Sequence, residues 1–131
     1  MANKKNRHDA NPATVEQRII NFLTGVGSKL VGAKPLEVEG GGFSYQRMAP
    51  GYAAPFGHRH ENHEEVYLVL SGSGRAKLEG EEQELKQWDA LRVPPQVARG
   101  FAAGQDGMEL LVIGFGEGGD VEMFQGYWDE T

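Results

Sequence analysis

The chain has 131 residues, of which 39% are hydrophobic and 24% are charged, and it carries a net charge of −6. This size fits one domain with a buried core, and the negative charge argues against nucleic acid or an anionic membrane as a partner. The absence of cysteine excludes disulfides, thiolate metal sites and a cysteine nucleophile. No apolar run approaches the roughly 20 residues that cross a membrane, and we expect a cytoplasmic protein.

The N-terminal part is predicted to contain a tail and one short helix. Residues 1–13 are polar, which indicates a mobile tail. Thr14 and Gln17 have the spacing of a capping box. One helical face is then marked by Val15, Ile19, Ile20 and Leu23. The pattern predicts a helix over residues 15–24, whose apolar face would pack on the outside of the domain or on a second subunit.

From residue 36 onward the pattern favours β-structure. The candidate strands are Gly42–Met48, Ala54–His60, Glu65–Ser71, Gly74–Leu78, Glu82–Leu85, Ala90–Val93, Ala98–Ala102 and Met108–Phe115. Turn signals between them include residues 71–74, 79–80, 94–95 and 104–107. Eight short strands at near-regular spacing predict a sandwich, a jelly roll or a small barrel. The aromatic tail over residues 121–128 is expected to dock back on the body.

One run holds the side chains best suited to chemistry. His58 and His60 are two residues apart, so on a strand both imidazoles point to the same face. Glu65 begins the next strand-like run, whereas Glu64 has the opposite parity and is predicted to face solvent. Two histidines and one carboxylate suit Fe(II), Mn, Ni, Zn or a similar divalent ion. His58, His60 and Glu65 are therefore predicted to be metal ligands.

With these residues the sequence resembles the cupin superfamily, specifically a small single-domain cupin. The first cupin motif runs Gly, five residues, His-x-His, three or four residues, Glu, six residues, Gly. Here four residues separate His60 from Glu65, and six separate Glu65 from Gly72. Gly51 lies one residue further upstream than the motif requires. The resemblance implies an all-β cupin jelly-roll barrel at about residues 36–115, within a single domain over residues 14–131.

The second cupin motif is only partly present. Its pattern is Gly, five residues, Pro-x-Gly, two residues, His, three residues, Asn. Aligned on Pro94, its two Gly positions hold Trp88 and Gln96, and its Asn position holds Ala103. The fourth metal ligand of the motif, a histidine, is replaced by Arg99. An arginine is permanently protonated and cannot donate a lone pair to a metal.

Arg99 therefore leaves two outcomes open. It either pairs with Glu65, fills the pocket and abolishes metal binding, or it anchors an anionic substrate beside a metal held by three ligands. Arg99 is accordingly the candidate for a catalytic or substrate-anchoring group. His63 is a possible substitute ligand, although it lies in a predicted loop and has odd parity relative to His60.

The resemblance implies three possible functions, each with a small, anionic ligand. The first is a metal-dependent enzyme; the second is a binding or sensing protein without catalysis; the third is a metal-free isomerase or epimerase that uses His58, His60 or Glu65 as acid or base. A homodimer is expected, because small cupins commonly pair through their sheets. Fold alone does not decide among these functions.

Overall fold

The computed structural model of the chain describes residues 29–31, 38–116 and 119–129. Its strands are β1 (Lys29–Val31), β2 (Gly41–Met48), β3 (Phe56–His60), β4 (Glu64–Leu78), β5 (Glu81–Lys86), β6 (Ala90–Val93), β7 (Arg99–Phe115) and β8 (Val121–Gln125). The order β1-β2-β7-β3-β8 forms one path, and β4 pairs with β5, β6 and β7. All the described elements are strands, as the sequence predicts for residues 36–115. The predicted tail over residues 1–13 and helix over residues 15–24 lie outside the described residues.

The long strands β4 and β7 form the centre of the fold. Their antiparallel register runs from Glu64 opposite Phe115 to Leu78 opposite Arg99. The sequence predicted turns between separate strands at residues 71–74 and 104–107. This prediction was wrong, because both segments lie within continuous strands. The register between the two strands shifts there instead, and residues 104–107 of β7 lie opposite the single residue Ser73 of β4. Gly72 has a φ of 76°, and the register shifts between Gly72 and Gly74.

The hydrophobic core follows the two-residue period of these strands. Tyr67 and Val69 on β4 are buried, as are Leu110 and Val112 on β7. Tyr67 also stacks on Phe101, with 4.3 Å between ring centroids. Because alternate residues of a strand share a face, Glu65 lies on the inner face with Tyr67. The core therefore ends in a polar group at one end of the barrel.

The last described residues pack against the strand that carries the two histidines. Strand β8 pairs with β3 along its whole length. The Tyr127 ring lies so close to Gly57 and Gly100 that a Cβ atom on either glycine would overlap it. The Tyr127 hydroxyl donates to the Lys77 carbonyl at 3.1 Å, and Lys77 Nζ donates to the Tyr127 carbonyl at 2.9 Å. The predicted docking of the aromatic tail is confirmed.

No helix among the described residues has the length and apolar character needed to cross a membrane.

Candidate metal centre

The structure brings His58, His60 and Glu65 together at the inner face of the barrel. One ligand atom from each of the three lies within 4.8 Å of the other two. His58 Nε2 is 3.3 Å from Glu65 Oε1, and His60 Nε2 is 3.6 Å from Glu65 Oε2. Strand β3 supplies the two imidazoles from alternate positions, and β4 supplies the carboxylate after a short turn. The group predicted from the spacing is thus assembled, and it could hold a metal ion.

The Glu65 carboxylate is held by three neighbours. His58 and the Tyr67 hydroxyl both contact Oε1, and Arg99 Nη1 lies 3.9 Å from the same atom. Burial alone would raise the pKa of Glu65, but the hydrogen bonds from His58 and Tyr67 and the charges of His58 and Arg99 lower it to about 2. Glu65 is therefore ionised at neutral pH and needs to lose no proton to bind a cation.

One ring nitrogen of His60 faces this group and has no hydrogen-bond partner among the described residues. His60 Nε2 is buried and makes no hydrogen bond within the described part of the chain. A buried polar atom without a partner is costly, and here it faces the Glu65 carboxylate. Two imidazoles and one carboxylate also form a donor set that divalent transition metals accept. These two observations show that the residues present fit a metal ion.

The sequence analysis did not identify Asp120, which holds the other face of His60. Asp120 Oδ1 is 2.9 Å from His60 Nδ1, and Oδ2 accepts hydrogen bonds from the backbone N–H groups of Glu61 and Asn62. The hydrogen bond from the Asn62 backbone, followed by the one with His60, lowers the pKa of Asp120. Asp120 is 60 residues from His60 in the chain, so no local spacing could have revealed it. Its only signal is an aspartate at the end of a glycine-rich segment.

Arg99 lies inside the protein beside Glu65. Its side chain has no exposed surface, and its Nη2 donates to the carbonyls of Val93 and Pro94, at 3.3 and 2.8 Å. His58 and Arg99 are directly opposite each other across β3 and β7. The Arg99 side chain does not line the cavity described below. Its role as an anion anchor remains a prediction.

Glu64 and His63 are close to these residues in sequence but lie outside the group of three. Glu64 pairs with Arg92 Nε at 2.7 Å on the outer face, as its parity predicts. The His63 ring packs against Gly114, with its centroid 4.8 Å from that of His60. His63 is not a member of the group whose ligand atoms converge, so its role as a substitute ligand also stays a prediction.

The group of three residues opens onto a cavity of about 380 Å³. Polar lining comes from Ser44 and Gln46 on β2, in addition to the histidines and Glu65. Apolar lining comes from Ala54, Phe56, Phe101, Val112, Val121 and Met123. A cavity of this size and mixed lining suits a small molecule.

Comparisons with known proteins agree with this architecture. A cupin protein from Bacteroides fragilis has 28% sequence identity and a TM-score of 0.65, over 83% of this chain and 92% of that one. KdgF from Halomonas sp. has 19% identity and a TM-score of 0.59, over 70% of this chain and 81% of that one. A variant of Streptomyces PAC13, solved with uridine, has 16% identity and a TM-score of 0.64, over 74% of this chain and 77% of that one. At such identities the likeness shows the fold alone.

The comparison with curated proteins gives no match. The Cupin domain family matches over residues 44–114, which is 71 of the 131 residues. This stretch contains the two histidines, Glu65 and Arg99. The chain belongs to the Cupin domain family.

Proposed function

We propose that this cupin is a metal-dependent enzyme that acts on a small anionic substrate. His58, His60 and Glu65 would hold one divalent ion, such as Fe(II), Mn, Ni or Zn. The observation that carries the proposal is the convergence of their ligand atoms within 4.8 Å, where His60 Nε2 is buried without a partner. When bound, the ion would polarise substrate oxygens as a Lewis acid.

The surrounding residues prepare the site before any ligand arrives. The Tyr67 hydroxyl and Arg99 hold the Glu65 carboxylate in its ionised form and in one orientation. His58 Nε2 carries a proton when it donates to Glu65, and this proton must leave before the same nitrogen can bind a cation. Metal binding by this nitrogen therefore requires the tautomer of His58 that has its proton on Nδ1.

Charge supports an anionic substrate. The buried group contains one carboxylate, Glu65, and one permanent cation, Arg99. A divalent ion would add two positive charges to this nearly neutral pair, and Asp120 would balance only one of them. Buried charge without compensation is unfavourable. An anionic group of the substrate at the open coordination positions would supply the missing negative charge.

The apolar part of the cavity supports a substrate with an uncharged body. Phe56, Val121 and Met123 line one side and are each partly exposed, at 42%, 48% and 57%. Ser44 and Gln46 lie two residues apart on β2. Both line the cavity, where they could meet a hydroxyl or carbonyl group of the substrate.

A metal-free enzyme is the second candidate, because Arg99 already neutralises Glu65. In that arrangement the His58–Glu65 pair, 3.3 Å apart, would act as general acid and base. The binding or sensing protein is the remaining alternative. It shares the cavity with both enzymes and differs from them in the absence of turnover.

Elemental analysis of the untagged protein tests the proposal, before and after reconstitution with Fe(II), Mn, Ni and Zn. We expect about one ion per chain in the unaltered protein and a loss of binding in H58Q and E65Q. The matched controls are H63Q, a neighbouring histidine outside the converging group, and E64Q, the adjacent carboxylate on the outer face. Both controls should bind as the unaltered protein does.

Two results would reject a metal enzyme. If reconstituted protein holds no metal above the level of the buffer, the search moves to metal-free chemistry. If the H63Q variant loses the ion while H58Q retains it, the ligand set is wrong. A panel of small carboxylates and phosphates, assayed for both binding and turnover, then separates an enzyme from a binding protein.

A further inference from the structure

Asp120 is placed so that one carboxylate contacts both His60 and the turn that leads to Glu65. It directly precedes β8, the strand that pairs with β3. Its Oδ1 atom meets His60 Nδ1 at 2.9 Å. Its Oδ2 atom accepts the backbone N–H groups of Glu61 at 3.1 Å and Asn62 at 2.8 Å. Its side chain is only 16% exposed, so water competes little for these hydrogen bonds.

The contact with Asp120 determines which nitrogen of His60 carries the proton. A carboxylate accepts hydrogen bonds. Asp120 Oδ2 already accepts two backbone N–H groups, and Oδ1 lies 2.9 Å from His60 Nδ1, so the Nδ1 atom of His60 is the donor. In the neutral imidazole the lone pair then lies on Nε2. This is the atom that faces Glu65 Oε2 at 3.6 Å.

The two atoms that face each other therefore need something between them. A lone pair on His60 Nε2 and a carboxylate oxygen of Glu65 repel each other, and no described residue donates a hydrogen bond to that nitrogen. A cation would bind to both. Metal-binding histidines commonly donate their other N–H group to a carboxylate or carbonyl, and this contact fixes the ring and raises its basicity.

We propose that Asp120 is a positioning residue that fixes His60 in the tautomer whose Nε2 lone pair faces the metal site. The proposal rests on the proposed function, because it assigns His60 Nε2 as a ligand. Asp120 also ties down residues 61 and 62, which connect the strand of the two histidines to that of Glu65. The same carboxylate thus sets the ring orientation of one ligand and the path of the chain towards another.

The D120N variant tests the proposal with little change in shape. The asparagine carbonyl can still accept the N–H groups of Glu61 and Asn62, which leaves its NH₂ group facing His60 Nδ1. That nitrogen must then accept, so the proton moves to Nε2 and blocks the ligand atom. We expect the affinity for Zn and Mn, measured by isothermal titration calorimetry, to fall about 10–100-fold. The thermal stability of the metal-free protein should change little.

The matched control is D89N. Asp89 Oδ2 accepts the backbone N–H of Lys86 at 2.9 Å, so it shares the charge and the backbone contact but touches no histidine. We expect its metal affinity to equal that of the unaltered protein. If D89N and D120N weaken binding equally, the effect is one of net charge, and the positioning role is wrong.

A second measurement separates this proposal from the proposed function. Nitrogen-15 NMR of the metal-free protein at alkaline pH reports the tautomer of His60. We expect the Nδ1–H form in the unaltered protein and the Nε2–H form in D120N. The Nε2–H form in the unaltered protein would overturn the role of Asp120, whatever the metal affinity. If the tautomers are as expected and the unaltered protein binds no metal, the proposed function fails and the orientation of His60 by Asp120 stands.

Discussion

Glu64 and Glu65 are neighbours in sequence, and each lies beside an arginine, but on opposite faces of β4. Outside, Glu64 meets Arg92 at 2.7 Å, with 38% and 62% of the two side chains exposed. Inside, Glu65 meets Arg99 at 3.9 Å, with 13% and 0% exposed. The shorter contact is the weaker one, because water screens the outer pair. Environment rather than distance decides what an ion pair contributes here.

Removal of the inner arginine should have the largest effect. In R99A, Glu65 loses its buried cation, and the carbonyls of Val93 and Pro94 lose their guanidinium donor. Removal of one partner of a buried pair typically costs about 3–5 kcal/mol. We expect a loss of this size in the free energy of unfolding of the metal-free protein, measured by urea denaturation.

The outer arginine supplies the control. R92A should lower the free energy of unfolding by about 0–1 kcal/mol, because Arg92 and Glu64 are both exposed. Equal losses in R92A and R99A would contradict the comparison. Near-equal stability of R99A and the unaltered protein would show that Glu65 obtains its compensation elsewhere.

A fall in pH should lower the stability of the protein through protonation of Glu65. The folded pKa of Glu65, about 2, lies below its ordinary value of 4.5. This group therefore adds stability above pH 4.5, and the contribution is lost as the pH falls from there through 2. The shift corresponds to about 3 kcal/mol. In E65Q we expect lower stability at neutral pH and a shallower decline in acid, measured by urea denaturation at a series of pH values.

Part of the acid decline should remain in E65Q, since the pKa values of Glu109 and Asp120 are also lowered. E64Q is the matched variant on the outer face, and it should follow the curve of the unaltered protein. A curve for E65Q that is parallel to that of the unaltered protein would show that Glu65 does not titrate differently in the folded state.

Replacement of Arg99 by histidine should have a smaller effect, which is on the affinity for a divalent metal. R99H places an imidazole opposite His58, at the position where the second cupin motif has its histidine. Removal of a buried positive charge and addition of a fourth donor should tighten divalent metal binding about tenfold or more, which is about 1.4 kcal/mol. Calorimetric titration of the folded variant with Zn and Mn measures this. R92H is the control, and its affinity should not change.

No gain in R99H would mean that the side chain at position 99 does not reach the ion. The backbone argues for the alignment, since Trp88, at the first glycine position of the motif, has a φ of 72°. This is a left-handed conformation that glycine adopts most easily. At this position the backbone thus keeps a conformation suited to the glycine of the motif, although the side chain has changed.

The inner and outer faces also differ in what the sequence could predict. The positions of Glu64 and Glu65 follow from parity alone, because a strand alternates its faces. The convergence of His58, His60 and Glu65 followed from spacing and from the family motif. The burial of Arg99 depends on the register of β3 against β7, and the sequence left the direction of this side chain open.

Other features depended on contacts that spacing does not encode. Asp120 reaches His60 only because β8 returns to pair with β3, a pairing between segments far apart in the sequence. The segments at residues 71–74 and 104–107 have the composition of turns, yet each lies at a register shift within a longer strand. A glycine permits either outcome, and the pairing of the whole strand decides between them.

The contact of Tyr127 with Gly57 and Gly100 has a consequence for related sequences. Each glycine adjoins a residue of the site, since Gly57 precedes His58 and Gly100 follows Arg99. A ring at position 127 and a side chain at either glycine cannot occupy the same space. We expect the three positions to vary together among homologues, with glycine at 57 and 100 wherever an aromatic residue stands at 127. Covariation of this kind would identify relatives in which an aromatic ring at position 127 packs against the strand of the two histidines in the same way.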